Sequence, residues 1–329
     1  MPDIIFIGAG AIATALGNVL ARSRKTEIHM ITVEGDVAES INRDHLNYKY
    51  FPSVPLENNL VASSDFSKLE QRAVVFIAIP SVVTVDFLID KNIHPESLLV
   101  NLAKGFGSCS LTIIECLEKS LPNPVCSLKG PSFAREIINN QPTSFTVGSA
   151  RYEDFEVLRS LFSKTNIYLD YSGDVAGVEY LSILKNIYAI AIGVVDAQYD
   201  SLNLKFMIFT RAMNEIKFIL DCFGGKEDTL FRYCGFGDFG LTALNDLSRN
   251  RTLGLLIGKG FFTDNISDKV VLEGRIAVNI FMEKIRNLQA DLDRLPIFRE
   301  IYRVFNQNSY PVNNFVNNIL ADSITLPDK

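Results

Sequence analysis

Hydrophobic and polar positions fall into two regimes along the chain. In the first half, short apolar runs at residues 4–7, 27–32, 73–79 and 98–102 stop at glycine, proline or polar residues, as strands buried on both faces do. The first run leads into Gly8-Ala9-Gly10-Ala11-Ile12-Ala13 and then into residues 14–20, which read as a helix. Strand, glycine turn and helix in that order, followed by further strands, predict an α/β half built on a parallel sheet. From about Val175 the period changes. Residues 177–196 and 204–223 carry apolar positions three and four apart, which predicts long helices and an all-α second half.

Composition narrows the function classes. The 329 residues are 47% hydrophobic and 21% charged, an ordinary globular balance that excludes collagen-like and disordered chains. Thirty-eight acidic residues against 32 basic ones give a net charge of -6, so no nucleic-acid partner is expected. The five cysteines, at 109, 116, 126, 222 and 234, form no C-x-x-C pair and suit free thiols in a reducing compartment. Met1-Pro2-Asp3 leads straight into the first strand with no basic leader, and no apolar run approaches the roughly 20 residues of a membrane span. A cytoplasmic protein without integral membrane association is expected. His29, His45 and His94 all lie in the first third, so proton transfer in the second half falls to Lys, Asp, Glu, Tyr or Cys.

The glycine turn is the first candidate site. Gly8 permits a tight turn, Gly10 lets the backbone approach a pyrophosphate, and Ala13 replaces the third glycine of G-x-G-x-x-G. The following helix N-terminus offers N–H donors and partial positive charge to phosphates. After the second strand comes Thr32-Val33-Glu34, with no Arg or Lys ready for a 2′-phosphate. Glu34 either meets a ribose hydroxyl or is a turn carboxylate, so NAD is favoured over NADP. Pro80 and Lys104 stand at the carboxyl ends of later strands. Lys104 is either a solvated loop lysine or a phosphate or substrate contact.

Other blocks add polar groups. Gly130-Pro131-Ser132 reads as a strand-to-helix turn with an N-cap hydroxyl. Lys185, beside Asn186, interrupts an apolar helical run, so it snorkels or projects into a cleft. Gly235–Thr242 is glycine-rich and presents Asp238 and Thr242. Ser248-Arg249-Asn250-Arg251 suits phosphate recognition, or equally a helix N-cap followed by surface arginines.

Taken in order, GAGAIATALG, IPS, NLAKG, GPSFAREI, GVEYLSILKNIYAIAIG, TRAMNEI, GFGDFGLT, SRNRTLG, LEG and LPI resemble the NAD(P)-dependent glycerol-3-phosphate dehydrogenase family along nearly the whole chain. The resemblance implies a Rossmann dinucleotide-binding domain over residues 1–172, a helical substrate domain over 173–329, and an active site between them. It implies Lys185 as the general acid/base, Lys104 near both cofactor and substrate, and Asp238 and Thr242 around the reacting oxygen. Arg249 and Asn250, with Ser248 beside them, would bind the substrate phosphate, while Gly130 and Ser132 would line the pocket. Gly8, Gly10, Ala11, Ile12, Ala13, Val33, Glu34, Pro80, Lys104, Ala134, Arg249 and Glu273 would lie against NAD or NADP. A small phosphorylated substrate and a homodimer follow from the same resemblance. In such chemistry a base removes the hydroxyl proton while hydride leaves, and desolvation with cationic neighbours is expected to prepare Lys185 for that role.

Several positions depart from the family pattern. Ile12 and Ala13 stand where an aromatic residue and glycine are usual, and Val33 where arginine is frequent. Leu181-Ser182-Ile183 replaces Gly-Gly-Ala, while Ala212 and Ala243 replace glycine and cysteine. The rival readings are a dehydrogenase of a related polyol phosphate or hydroxy acid, and a nucleotide-binding regulator without catalysis. The segment from Asn306 onward carries Val312, Phe315, Val316, Ile319 and Leu320, and forms either a docking helix or a mobile tail.

Overall fold

The structure, a computed structural model, describes residues 2–107, 110–261 and 268–321. The chain divides after Glu179 into two compact units. The first holds eight strands: β1 (Asp3–Ile7), β2 (Ile28–Ile31), β3 (Leu60–Ser63), β4 (Ala73–Ile77), β5 (Leu98–Asn101), β6 (Val125–Lys129), β7 (Thr143–Gly148) and β8 (Ile167–Ser172). Its helices are α1 (Ala11–Arg22), α2 (Gly35–Asp44), α3 (Ser81–Ile89), α4 (Ile113–Ser120), α5 (Ala134–Ile138) and α6 (Tyr152–Phe162).

The strands make one sheet in the order β3-β2-β1-β4-β5-β6-β7-β8, parallel throughout except between β6 and β7. Both faces are covered. Ile4, Phe6, Val74 and Phe76 feed one core, while Ile5, Ile7, Val75 and Ile77 feed the other. That double burial is why β4 is apolar at every position, and β1 at every position after Asp3, rather than alternating. The chain runs from β1 outward to β2 and β3, then crosses back past β1 to β4 on its other side, so the carboxyl ends of β1 and β4 frame a topological switch point.

The sequence pattern does not single out β3, β7 or β8. β3 has four residues, and β8 leaves its central positions partly exposed, so neither shows a sustained apolar run.

The second unit is helical, as the change of period predicts. α7 (Val175–Gln198) begins in the first unit and is followed by α8 (Leu202–Cys222), α9 (Glu227–Leu230), α10 (Asp238–Leu244) and α11 (Arg249–Gly258). Then come α12 (Asp268–Asn287), α13 (Pro296–Asn306) and α14 (Phe315–Ala321). The α7 segment corrects the expectation about apolar run length. Its 24 residues are long and apolar enough to cross a membrane, but 94% of its most apolar window is buried inside the fold, so it is a core helix.

Glu215 of α8 caps the start of α13. Its carboxylate accepts from the Ile297 and Phe298 N–H groups at 2.7 and 2.9 Å and from the Tyr188 hydroxyl at 2.9 Å. Burial nevertheless pushes this carboxyl up to about 8. The end of the chain docks: Phe315, Val316 and Ile319 of α14 are buried, and Arg211 donates to the Ile319 carbonyl at 3.0 Å. Residues 322–329 lie outside the described residues.

Candidate active site

In the first unit the glycine turn joins β1 to α1. Gly8 has φ +105, and a Cβ there would meet the Ala78 carbonyl oxygen at 2.8 Å, so only glycine fits. Its N–H donates to the Ile31 carbonyl at 2.7 Å, drawing the turn onto β2. Gly10 is the N-cap of α1 and supplies no side-chain cap, and a Cβ built on it meets nothing within 4 Å. The first-turn N–H groups at Ala11, Ile12 and Ala13 therefore face space that a pyrophosphate can enter, and the residues present fit a dinucleotide. Ala13 itself is fully buried and packs the helix on the sheet.

Asn47, which the sequence pattern does not mark as functional, braces this turn from behind. Its amide donates to the Ala9 carbonyl at 3.0 Å and to the Thr14 hydroxyl at 2.9 Å.

Glu34 is the N-cap of α2 and Val33 beside it is 81% exposed. The expectation that no cation stands near Glu34 is corrected. The segment after α2 folds back so that Lys49 Nζ lies 2.6 Å from Glu34 Oε2. That bond raises the Lys49 ammonium above the ordinary lysine range. A 2′-phosphate at this rim would meet a lysine as well as a carboxylate.

Pro80 is exposed at the N-cap of α3, after β4. Lys104 follows β5, half-buried, and donates to the Gly130 carbonyl at 3.2 Å. Gly130 lies so close to β7 that a Cβ would meet the Ser144 carbonyl oxygen at 2.4 Å. Ser132 is not an N-cap: α5 begins at Ala134 behind Phe133, and the Ser132 hydroxyl donates back to the Gly130 carbonyl at 2.9 Å. A nearby carbonyl wins the hydroxyl that the sequence pattern assigns to the helix. Ala134, half-buried, packs against the sheet's core.

Beneath these turns lies a buried polar group that the motifs do not flag. Lys129 ends β6, and its ammonium is 3.0 Å from a Glu179 carboxylate oxygen, with both side chains at most 1% exposed. Ser127 and Asn101, which face each other across β6 and β5, also donate to Glu179.

In the second unit Lys185 lies on α7, and Asp238 and Thr242 lie on α10, reached through one wide π turn, Tyr233–Gly237. The structure brings these three expected residues together. Lys185 Nζ donates to Asp238 Oδ1 at 2.9 Å and to Thr242 Oγ1 at 2.7 Å, and the three residues are 6%, 1% and 5% exposed. One face of α10 presents a carboxylate and a hydroxyl one turn apart, which holds a single ammonium from two sides.

The two readings of Ser248–Arg251 divide between its residues. Ser248 is the N-cap of α11, accepting from the Arg251 N–H at 3.3 Å. Arg251 is buried and structural, donating from Nη2 to Asp196 of α7 at 2.6 Å and also to Asp246. Arg249 is exposed and Asn250 half-buried, both in the first turn of α11 beside its unpaired N–H groups. Helix N–H donors, a guanidinium and an amide together suit a phosphate. Glu273 is exposed on α12.

Known proteins resemble this chain over its full described extent. Residues 3–154 match the family profile described as NAD-dependent glycerol-3-phosphate dehydrogenase N-terminus, and residues 174–316 match that of its C-terminus. A glycerol-3-phosphate dehydrogenase [NAD(P)+] of Methanothermobacter thermautotrophicus is 33% identical over 309 residues, covering 92% of this chain and 93% of that protein. A second, from Clostridium botulinum, is 30% identical and covers 94% and 95%. The crystal structure of glycerol-3-phosphate dehydrogenase from Coxiella burnetii superposes with TM-score 0.88 at 25% identity, covering 97% of this chain and 98% of that one.

Proposed function

Because the chain belongs to the NAD-dependent glycerol-3-phosphate dehydrogenase family, we propose that Lys185 is the group that moves the proton in its reaction. The protein is an NAD(P)-dependent oxidoreductase of the CH–OH group, interconverting glycerol 3-phosphate and dihydroxyacetone phosphate. The nicotinamide, when bound, supplies or accepts the hydride.

The observation that carries the proposal is the single ammonium held by Asp238 and Thr242 in a nearly closed setting. In the reducing direction Lys185 gives a proton to the oxygen that develops negative charge, and in the oxidising direction it takes that proton back. Asp238 and Thr242 fix the direction of its N–H bonds before the substrate arrives. Lys104 polarises the carbonyl, and its bond to the Gly130 carbonyl supports a placed rather than a solvated ammonium. Arg249 and Asn250, with the α11 N-terminus, hold the phosphoryl group at a distance from the reacting carbon, so that binding energy serves orientation.

Gly8, Gly10 and the first turn of α1 receive the pyrophosphate, with Ala11, Ile12 and Ala13 as donors. Val33 and Glu34 meet the ribose, and NAD is the preferred form because Glu34 accepts a 2′-hydroxyl and repels a 2′-phosphate. Lys49 tempers that preference. Pro80, Ala134 and Glu273 complete the cofactor contacts, and Gly130, Ser132 and Ser248 the substrate contacts. A homodimer in a reducing, cytoplasmic compartment completes the reading, and the free cysteines 116, 126, 222 and 234 support the compartment.

Lys185→Ala tests the assignment. Turnover of dihydroxyacetone phosphate is expected to fall by about 10³-fold, while titration followed by the fluorescence of NADH itself gives an unchanged Kd. Near-wild-type turnover would show that the proton moves elsewhere. A panel of related keto-phosphates, assayed beside dihydroxyacetone phosphate, separates this substrate from other polyol phosphates.

A further inference from the structure

We infer that the buried Lys129–Glu179 pair is a positioning device that sets Lys104 in place for catalysis, an inference that rests on the reading of Lys104 given above.

Two full charges, Lys129 at the carboxyl end of β6 and Glu179 in the first turns of α7, meet with essentially no contact with water. Lys129 is 0% exposed and Glu179 1%. Removing such ions from water costs several kcal/mol each, and a well-packed apolar pair is often as stable, so burial alone does not account for this choice of residues. What charged groups offer over apolar ones is direction, and here the cluster is bonded to both polar groups of one turn residue, Ala103.

The Glu179 carboxylate gathers Lys129, Ser127 and the Asn101 amide, the last at 3.2 and 3.3 Å from its two oxygens. Two of those three residues, Asn101 and Lys129, also grip Ala103. The Asn101 side-chain oxygen accepts the Ala103 N–H at 2.9 Å, and the Lys129 ammonium donates to the Ala103 carbonyl. Both polar groups of the residue before Lys104 are therefore tied to one buried cluster. At its far end Lys104 donates to the carbonyl of Gly130, the residue after Lys129. Backbone and ammonium of Lys104 are thus referred to the same lysine. A rigid second layer of this kind is what holds a reacting group to within a fraction of an ångström.

The distinction from a merely structural pair can be measured. Glu179→Gln keeps the shape and removes the charge, and kcat is expected to fall at least tenfold with thermal stability followed alongside. In a Lys104→Ala background the same substitution should cost less than twofold further, because its effect runs through Lys104. A Lys129→Met/Glu179→Met double variant should regain thermal stability yet keep the low kcat, since apolar packing replaces the pair but not its directed bonds. If Glu179→Gln does not fold, Ser127→Ala removes one donor and is subjected to the same cycle, with a loss of about threefold expected.

Full kcat in Glu179→Gln, equal losses with and without Lys104, or recovery of kcat in the double methionine variant would each overturn the inference. Failure of the underlying reading looks different: Lys104→Ala alone would then retain wild-type kcat.

Discussion

Lys129–Glu179 in the sheet unit and Lys185–Asp238 in the helical unit are the same chemical pair at nearly the same length, 3.0 and 2.9 Å. Their surroundings differ in kind. Lys129 shares its ammonium between a carboxylate and a peptide carbonyl, and none of its side chain is exposed. Lys185 shares its ammonium between a carboxylate and a hydroxyl, and 7% of its side chain is exposed. A carbonyl only accepts, whereas a hydroxyl both accepts and donates, so Lys185 keeps a partner that can reorient while Lys129 is pinned to the backbone. Burial of a lysine is therefore no guide to its task. The character of its second partner is.

Stability offers the largest contrast. Lys129→Met removes the ammonium that Glu179 meets in the core and is expected to cost about 3–5 kcal/mol, a fall in Tm of roughly 10 °C by calorimetry. Lys185→Met should lower Tm by less than half as much, because Asp238 stands in the first turn of α10, where the helix dipole offsets part of a buried negative charge. Equal losses would erase the distinction between the two pairs.

Substrate binding sharpens it from the other side. Arg249→Ala is expected to raise KM for dihydroxyacetone phosphate by about 30-fold, the loss of one charge-assisted phosphate contact of ~2 kcal/mol. The Kd for NADH should rise far less, through the cofactor contact that the resemblance also gives Arg249. Arg251→Ala, in contrast, should lower Tm, since Arg251 serves Asp196 and Asp246.

A third buried carboxyl, Glu215, is answered by two peptide N–H groups and a tyrosine. Burial pushes it from an ordinary value of 4.5 up to about 8 in the folded chain. Between those values the folded state holds the extra proton, so its contribution is complete below the lower pH and is lost as pH rises through the upper. Tm is expected to decline from about pH 5 to 8, and Glu215→Gln should flatten that slope in a thermal-shift series.

Much of this was readable from residue patterns. The alternation of apolar runs and the change of period near Val175 reveal both architectures, and LKN with GFGDFGLT marks a lysine, a carboxylate and a hydroxyl that do meet. The Lys129 cluster stays hidden because its four members come from three separate segments, and Lys129 sits in a block whose glycine and proline attract attention first. Ser132 misleads for a local reason, because a hydroxyl near a helix start looks like a cap until the Gly130 carbonyl claims it. Lys49 escapes notice because only the return of the chain after α2 carries it to Glu34.

That Lys49–Glu34 bond is half open to solvent, with side-chain exposures of 50% and 38%. Mobile ions weaken exposed pairs far more than enclosed ones, since the screening length shrinks to about 8 Å at physiological ionic strength. Choice between the two nicotinamide dinucleotides then becomes a function of potassium chloride concentration. The ratio of Kd for NADPH to Kd for NADH should drift toward unity by a few-fold as salt rises, and Glu34→Gln should abolish the drift. On the proposed contact of Glu34 with the ribose, rising ionic strength would thereby weaken the preference for one dinucleotide over the other.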